Sequence, residues 1–435
     1  MMRPGLFHRR APLVLIPFVT LALSAQVALL NDSDPKRRAE AARKTGKEGT
    51  SQDIPALAEL LDDPVREVRA EAVGAILRLD TQESLEPLMR ATRDATPAIQ
   101  AMAVDGLVNF YYPGYVKSGW SASLKSFGSD IKGRFTEPEP KVVEAYVQRQ
   151  VSADVVRAIS RLIAGGTSIE SRANAARALG VLLGKQGMSQ LVEGLRAKDQ
   201  IIIVECIRSI RKIGDTEVGP ELVFLIRDPD EDVQYETART MGQLKVQEAT
   251  PELVVLLNRS PRKRIRREAL IAIAKISDPQ QRMLFHTYLR DKDRQLRAAA
   301  AEGLGRLGNR EDLPMILDAF AREKSESARL SMAFAAVDLG DMSFLTYLFD
   351  GLNSSFHRLE ARPFLIELSR DAEILQQLYK PLTMGSNDQK KHIAYIVAIN
   401  GNKESMPYLE KLIHDPDDSV AQQAMLALKN LQVRF

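Results

Sequence analysis

The chain has 435 residues, 45% of them hydrophobic and 27% charged, which suits a large folded core and excludes a disordered or collagen-like chain. Sixty Lys+Arg stand against 57 Asp+Glu, and a net charge of +3 argues against a dedicated nucleic-acid binder. Cys206 is the only cysteine, so no intramolecular disulfide and no cysteine-based metal site can form. It lies in the apolar run 201–207 and reads as a small core residue.

The chain starts with Arg3, Arg9 and Arg10, then a charge-free, mostly apolar stretch from Ala11 to Ala25 that the small residues Ala22, Ser24 and Ala25 close. This is the layout of a secretory signal peptide over residues 1–25. The charge-free run continues to Leu30, so an N-terminal membrane anchor is the alternative, weakened by Pro12, Pro17 and Gln26. An exported chain with a lone thiol is expected in the periplasm or associated with the cell envelope.

From residue 32 onward the chain repeats itself. Segments beginning at Asp63, Asp228, Asp291 and Asp415 each place an aspartate five residues before an aliphatic residue and then run into a helix-favouring stretch. Taking that position as an anchor gives Val68, Ile99, Ser171, Ile202, Val233, Ile265, Leu296, Ala328, Leu359, Lys390 and Val420, spaced 30 to 32 residues apart except for one jump of 72 after Ile99. One step earlier, Arg37 anchors a polar version of the unit, as an exposed solenoid end requires. Before each aspartate a first helix carries apolar residues at i, i+3, i+4, as in Leu57, Leu60, Leu61 and Leu253, Leu256, Leu257, which marks one buried face. The aspartate, often followed by proline, is expected to cap a second helix rich in small residues. Gly180, Gly214, Gly242, Gly305, Gly308 and Gly340 are expected near the ends of those second helices. The recurrence of Asp63, Asp94, Asp228, Asp291 and Asp415, and of Arg69, Arg172, Arg266, Arg297 and Arg329 just after the anchors, assigns both sets to caps and charge ladders between units.

Units such as Leu296-Arg297-Ala298-Ala299-Ala300-Ala301-Glu302-Gly303-Leu304-Gly305-Arg306-Leu307-Gly308 resemble HEAT-like repeats of the phycobilisome-lyase type. The resemblance implies an all-α, right-handed α-solenoid of the ARM/HEAT kind, with about 11–12 two-helix repeats of ~31 residues. It runs over residues 32–110 and 141–435 and says almost nothing about function, because such repeats serve scaffolds, adaptors and a few enzymes.

Residues 111–140 form an insertion. Phe110, Tyr111, Tyr112, Tyr115, Trp120, Phe127 and Phe135 crowd into 26 residues of a chain that is 6% aromatic. Lys117, Lys125, Lys132 and Arg134 face a single acid there, Asp130, and the density of Gly and Pro predicts a loop or hairpin. Tyr111, Tyr112, Tyr115, Lys117, Trp120, Lys125, Phe127 and Arg134 are therefore the candidate partner-binding residues. The other reading is that these aromatics plug the local groove. A second charged feature, the basic run Arg259 to Arg267, follows the acidic Asp228 to Asp232 by one unit and is expected to neutralise it.

No chemistry-bearing motif emerges. There is no P-loop, dinucleotide fingerprint, Gly-x-Ser-x-Gly or zinc spacing. The histidines His8, His286, His357, His392 and His414 are scattered, and no His-Glu dipeptide occurs, unlike the paired motifs that hold iron in deoxyhypusine hydroxylase, a HEAT-like enzyme. No catalytic residue, metal or cofactor is assigned. The expectation is a non-enzymatic scaffold or adaptor that binds a protein or peptide on the concave solenoid face, with no nucleic acid. The alternative is a repeat-type enzyme, phycobilin-lyase-like or a metal-dependent oxidoreductase.

Overall fold

A computed structural model describes residues 29–114 and 150–435. The expected signal segment, and most of the expected insertion, lie outside these residues. The described residues contain 23 α-helices and no strand, and none of these helices is long and apolar enough to cross a membrane.

They fall into two compact units that meet in sequence at Gly194 and Leu195. The first holds α1 (Pro35–Glu48), α2 (Ile54–Glu59), α3 (Arg66–Leu79), α4 (Leu85–Ala91), α5 (Pro97–Tyr111), α6 (Ala153–Gly165), α7 (Ile169–Val181) and α8 (Met188–Gly194). The second holds α9 (Gln200–Ile213), α10 (Glu231–Leu244), α11 (Thr250–Arg259), α12 (Lys263–Ile276), α13 (Arg282–Tyr288), α14 (Arg294–Leu307), α15 (Leu313–Arg322), α16 (Glu326–Asp338), α17 (Leu345–Gly351), α18 (Arg358–Leu368), α19 (Ala372–Gln377), α20 (Tyr379–Met384), α21 (Asn387–Asn400), α22 (Met406–Leu412) and α23 (Asp418–Arg434). Between α9 and α10 the first-helix position is a 3₁₀ run, Thr216–Arg227, interrupted by Pro220, which lacks a backbone donor. Twelve second helices result: α1, α3, α5, α7, α9, α10, α12, α14, α16, α18, α21 and α23. The architecture is an all-α solenoid, as the repeat period predicts.

The anchors are buried because they face the first helix of their own unit: Val68, Ile202, Val233, Leu296 and Val420 are all closed off from solvent, as are Leu57, Leu60, Leu61, Leu253, Leu256 and Leu257. Two anchors are displaced. Lys390 is only partly buried and takes the ladder position of its unit, pairing with Asp415. Leu359 is 49% exposed, and the buried residue of that unit is Ala361. The last buried residue of the first helix precedes the anchor by seven positions in Leu61–Val68, Ile226–Val233 and Leu289–Leu296, but by nine in Leu352–Ala361. Two extra residues in this turn shift the register of α18.

The recurring aspartates act one step before the cap. Asp63, Asp94, Asp228, Asp291 and Asp415 each accept the N–H two residues on, which closes a tight turn. The caps proper of α10, α14 and α23 are Asp230, Asp293 and Asp417, whose side chains accept first-turn N–H groups. The aspartates receive the expected charge ladder only in part, since Arg172 and Arg266 donate to the Ile163 and Leu257 carbonyl oxygens of their own units. Arg38 reaches Asp63 and Arg69 reaches Asp94, each at 2.6 Å and 25 residues on. In the second unit Arg267 pairs with Asp293, Arg297 with Glu323 and Lys390 with Asp415. The basic run is neutralised in the same way, Arg262 by Glu231 and Arg264 by Asp232.

The glycines divide into two roles. Gly214 and Gly308 cap their helices at positive φ. Gly242 and Gly305 lie in the last turns of α10 and α14, near the ends as expected, but serve packing and not a cap. A Cβ on Gly242 would lie 2.7 Å from Ala272 Cα, and one on Gly305 would lie 2.8 Å from Ala335 Cα. Absence of a side chain lets successive second helices touch backbone to backbone.

Candidate functional site

The period brings charged residues of the second helices into register. Three residues after the anchor stand Glu205, Glu236 and Glu268; six after it stand Arg208, Arg239 and Glu302; ten after it stand Lys212, Lys275, Arg306 and Asp338. The resulting seam runs over α9, α10, α12, α14 and α16; its glutamates Glu205, Glu236 and Glu268 are buried, Arg239 and Lys275 are partly buried, and Lys212 and Asp338 at its edges are exposed.

Glu236 is 3% exposed. One of its oxygens accepts Arg208 Nε at 3.0 Å and Nη2 at 2.9 Å, and the other accepts Arg211 Nη1 at 2.5 Å. Burial alone would raise its pKa, but the two guanidiniums hold it below the ordinary glutamate value. Arg208 also binds Glu205 at 2.9 Å. Farther on, Arg306 joins Glu302 at 3.1 Å to Glu367 of α18 at 2.8 Å. Its pKa is raised: burial opposes the charge, and the two carboxylates outweigh burial.

Between these clusters the charges are not matched. Burial pushes the Glu268 carboxyl up, against the pull of Lys275 and Arg239. Burial pushes the Lys275 amine down, against Glu268 and Glu302. Neither Lys275 nor Arg239 has a carboxylate within ion-pair distance among the described residues. Asp338 is pushed up to about 6 by its surroundings and by the negative charge of Glu367. In the first unit, Glu71 holds the equivalent position; burial raises its carboxyl, Arg43, Arg78 and Lys47 oppose the rise, and its Oε2 is buried without a partner.

The candidates from the insertion are only partly placed. Tyr111 ends α5, is buried, stacks edge-on with Phe110 at 5.2 Å and accepts the Ser152 N–H at 3.2 Å. Tyr112 follows it, partly buried, with its hydroxyl pKa raised by burial. Tyr115, Lys117, Trp120, Lys125, Phe127 and Arg134 lie outside the described residues. Cys206 is a core residue, as expected.

The histidines do not converge. His286 Nε2 lies 2.7 Å from Asp312, which also takes Arg282; His357 lies 3.3 Å from Glu360; His414 is exposed. Among the described residues no group of three His, Cys, Asp or Glu side chains is placed to hold a metal ion. Sequence reasoning missed the charged seam, although its signal is present: an acid three residues after the anchor in four units, at Glu71, Glu205, Glu236 and Glu268.

A family model for HEAT repeats matches residues 54–117, 219–282 and 250–337. No curated protein matches the chain at a significant level. Among solved structures, an engineered protein shares 18% identity over 94% of this chain and 98% of its own length, with a TM-score of 0.38. Kap121p, crystallised bound to Nup53p, shares 12% identity over 95% of this chain and 57% of its own, with a TM-score of 0.46. The complex of CpcE and CpcF of phycocyanin lyase from Nostoc sp. PCC7120 shares 16% identity over 65% of this chain and 94% of its own, with a TM-score of 0.34. This chain thus spans little more than half the length of Kap121p, and all three are distant.

Proposed function

Because this chain is a HEAT-repeat protein, we propose that it is a non-enzymatic scaffold that binds a protein or peptide partner through the face of its second helices. The backbone contacts at Gly242–Ala272 and Gly305–Ala335 support that face being the concave one, since the more closely packed row of helices is the inner row. The observation that carries the reading is the charged seam. A core position costs free energy when it is charged, and neither Lys275 nor Arg239 has an ion-paired counter-ion among the described residues, Glu268 and Glu302 only favouring the Lys275 charge from farther off. A partner segment laid along the groove supplies them.

Tyr111, Tyr112, Tyr115, Lys117, Trp120, Lys125, Phe127 and Arg134 belong to the same proposal as a second contact region. The arginine-then-apolar stretch before residue 26 supports export and a place in the cell envelope.

The test is capture of a partner from envelope extract by the wild type, by Lys275→Glu and by the pair Tyr115→Ala and Trp120→Ala, each checked for an unchanged helical melt. Loss of one and the same captured protein in a folded variant supports the scaffold. Stoichiometric iron or zinc in the purified protein would overturn the non-enzymatic reading.

A further inference from the structure

Beyond Ile203 and Gln234, where the ladder position is uncharged, the charge ladder fails at two successive steps of the second unit that do carry an arginine. Arg329, one residue after its anchor, finds no acid in the next repeat: its guanidinium sits 4.4 Å from the centroid of the Phe320 ring and 5.1 Å from that of Tyr347, and its buried Nε has no hydrogen-bond partner. Arg362, one residue after the displaced anchor Ala361, behaves likewise. Where Arg38, Arg69 and Lys390 meet an aspartate 25 residues on, the residue 25 after Arg362 is Asn387.

Arg362 turns to α21 and lies over the Tyr395 ring at 4.8 Å. Arg358, one helical turn earlier, has no carboxylate within ion-pair distance among the described residues. The acids nearby are already engaged. Asp388 takes Lys391 Nζ at 2.9 Å, and Glu360 takes the Ser327 hydroxyl at 2.8 Å and faces His357. His392 on α21 feels the charges of both arginines and of Lys391, and its Nε2 is buried without a partner. Burial first, and then the charges of Lys391, Arg362 and Arg358, hold this imidazole down to about 4, with Asp388 opposing them, so it is neutral in the unliganded protein at pH 7.

The turn leading into this cluster is the one lengthened by two residues. It exposes Phe356 to 84%, and the Ser386 hydroxyl ties it at Asn353 to the turn that follows Met384, itself 78% exposed. Extra residues in one repeat of an array collect on loops that contact partners.

We propose that Arg358 and Arg362, backed by the Tyr395 ring and the His392 imidazole, form a docking site for an acidic segment of the partner protein, in which Asp or Glu side chains supply the carboxylates that the ladder lacks at this step. The proposal rests on the scaffold reading and names the chemistry of its partner. Two half-buried guanidiniums one turn apart offer forked donors to a carboxylate. The His392 imidazole lies behind them, its Nε2 closed off from solvent, and an anion held on the two guanidiniums favours its protonated form.

The test is fluorescence anisotropy of a labelled hexaglutamate peptide against the full chain at low salt, with hexalysine and inorganic phosphate as the other arms. Hexaglutamate is expected to bind, hexalysine not, and Arg358→Gln with Arg362→Gln to weaken binding about tenfold or more. Arg362→Lys is expected to restore part of it, and Arg370→Gln, an exposed cation in the turn that follows α18, to leave it unchanged. The His392 imidazole titration, followed by NMR, should rise from about 4 on addition of hexaglutamate. Equal binding by the wild type and the double variant, or no hexaglutamate binding by the wild type, overturns the proposal. So does phosphate competing at the concentration at which hexaglutamate binds, which would mark a small-anion site. If the double variant still captures the envelope partner, this docking site falls and the scaffold reading stands.

Discussion

Arg69 lies between two turns of successive repeats: its Nε is 2.6 Å from Asp94 Oδ2, and its Nη1 donates to the Asp63 carbonyl oxygen at 2.8 Å. One guanidinium thereby fastens the turn before its own helix to the turn of the next unit. The Asp94 side chain is almost wholly buried, so loss of Arg69 strands a desolvated carboxylate. Arg69→Met is expected to cost about 3 kcal/mol, read as a lower urea midpoint at unchanged slope. A loss below about 0.5 kcal/mol would show instead a pair screened by solvent.

Gly242 needs its missing side chain. With Ala272 Cα only 2.7 Å from where a Cβ would sit, Gly242→Ala must push α10 and α12 apart. The expected loss is about 1–3 kcal/mol, even though alanine is the better helix former by about 1 kcal/mol. Thermal melts of Gly242→Ala beside Gly214→Ala separate close approach from conformational freedom, because nothing lies within 4 Å of a Cβ at Gly214. An unchanged Gly242→Ala melt would refute the contact.

Asp338 sets a pH dependence of known sign. Its folded pKa of about 6 exceeds the ordinary 3.8, so the fold favours its protonated form. That contribution is fully present below 3.8 and is lost as pH rises through about 6. Asp338→Asn, always neutral, should melt with the wild type at pH 4 and above it at pH 8. Melting temperatures that run parallel across this range would remove the effect.

Tyr111 tests the structural side of the aromatic segment. Tyr111→Phe keeps the buried ring and its contact with Phe110 but deprives the Ser152 N–H of its acceptor. The expected cost is about 1 kcal/mol with partner capture intact. A folded variant that loses capture would move Tyr111 from the fold to the binding surface.

The repeat period was legible because burial of one residue per unit, Val68, Val233 or Leu296, leaves an aliphatic residue every 31 positions or so. Position along a strict period cannot register a longer turn, so Leu359 took the place of Ala361. The aspartates were read as caps, but the cap is two residues later; their conspicuous feature, an acid before a proline, signals the turn and the ladder. Least legible was the seam. Glu236, Arg211 and Glu268 look like solvated helix positions in sequence, and only their alignment on successive helices takes them out of water. The cluster at Arg358, Arg362 and His392 is spread over two repeats and depends on an acid that is missing, which no single motif announces.

The ladder also determines how the array yields to load. Where each step carries a buried guanidinium–carboxylate rung, as between α1 and α3 or α14 and α16, neighbouring units resist shear. At Arg329 and Arg362 two rungs in a row are absent, and α18 is held instead by the Ser327 hydroxyl on Glu360 and by Arg306, which reaches past α16 to Glu367. Shear at this step is thus borne by one hydroxyl and by one ion pair that skips a repeat, a lashing rather than a row of rungs.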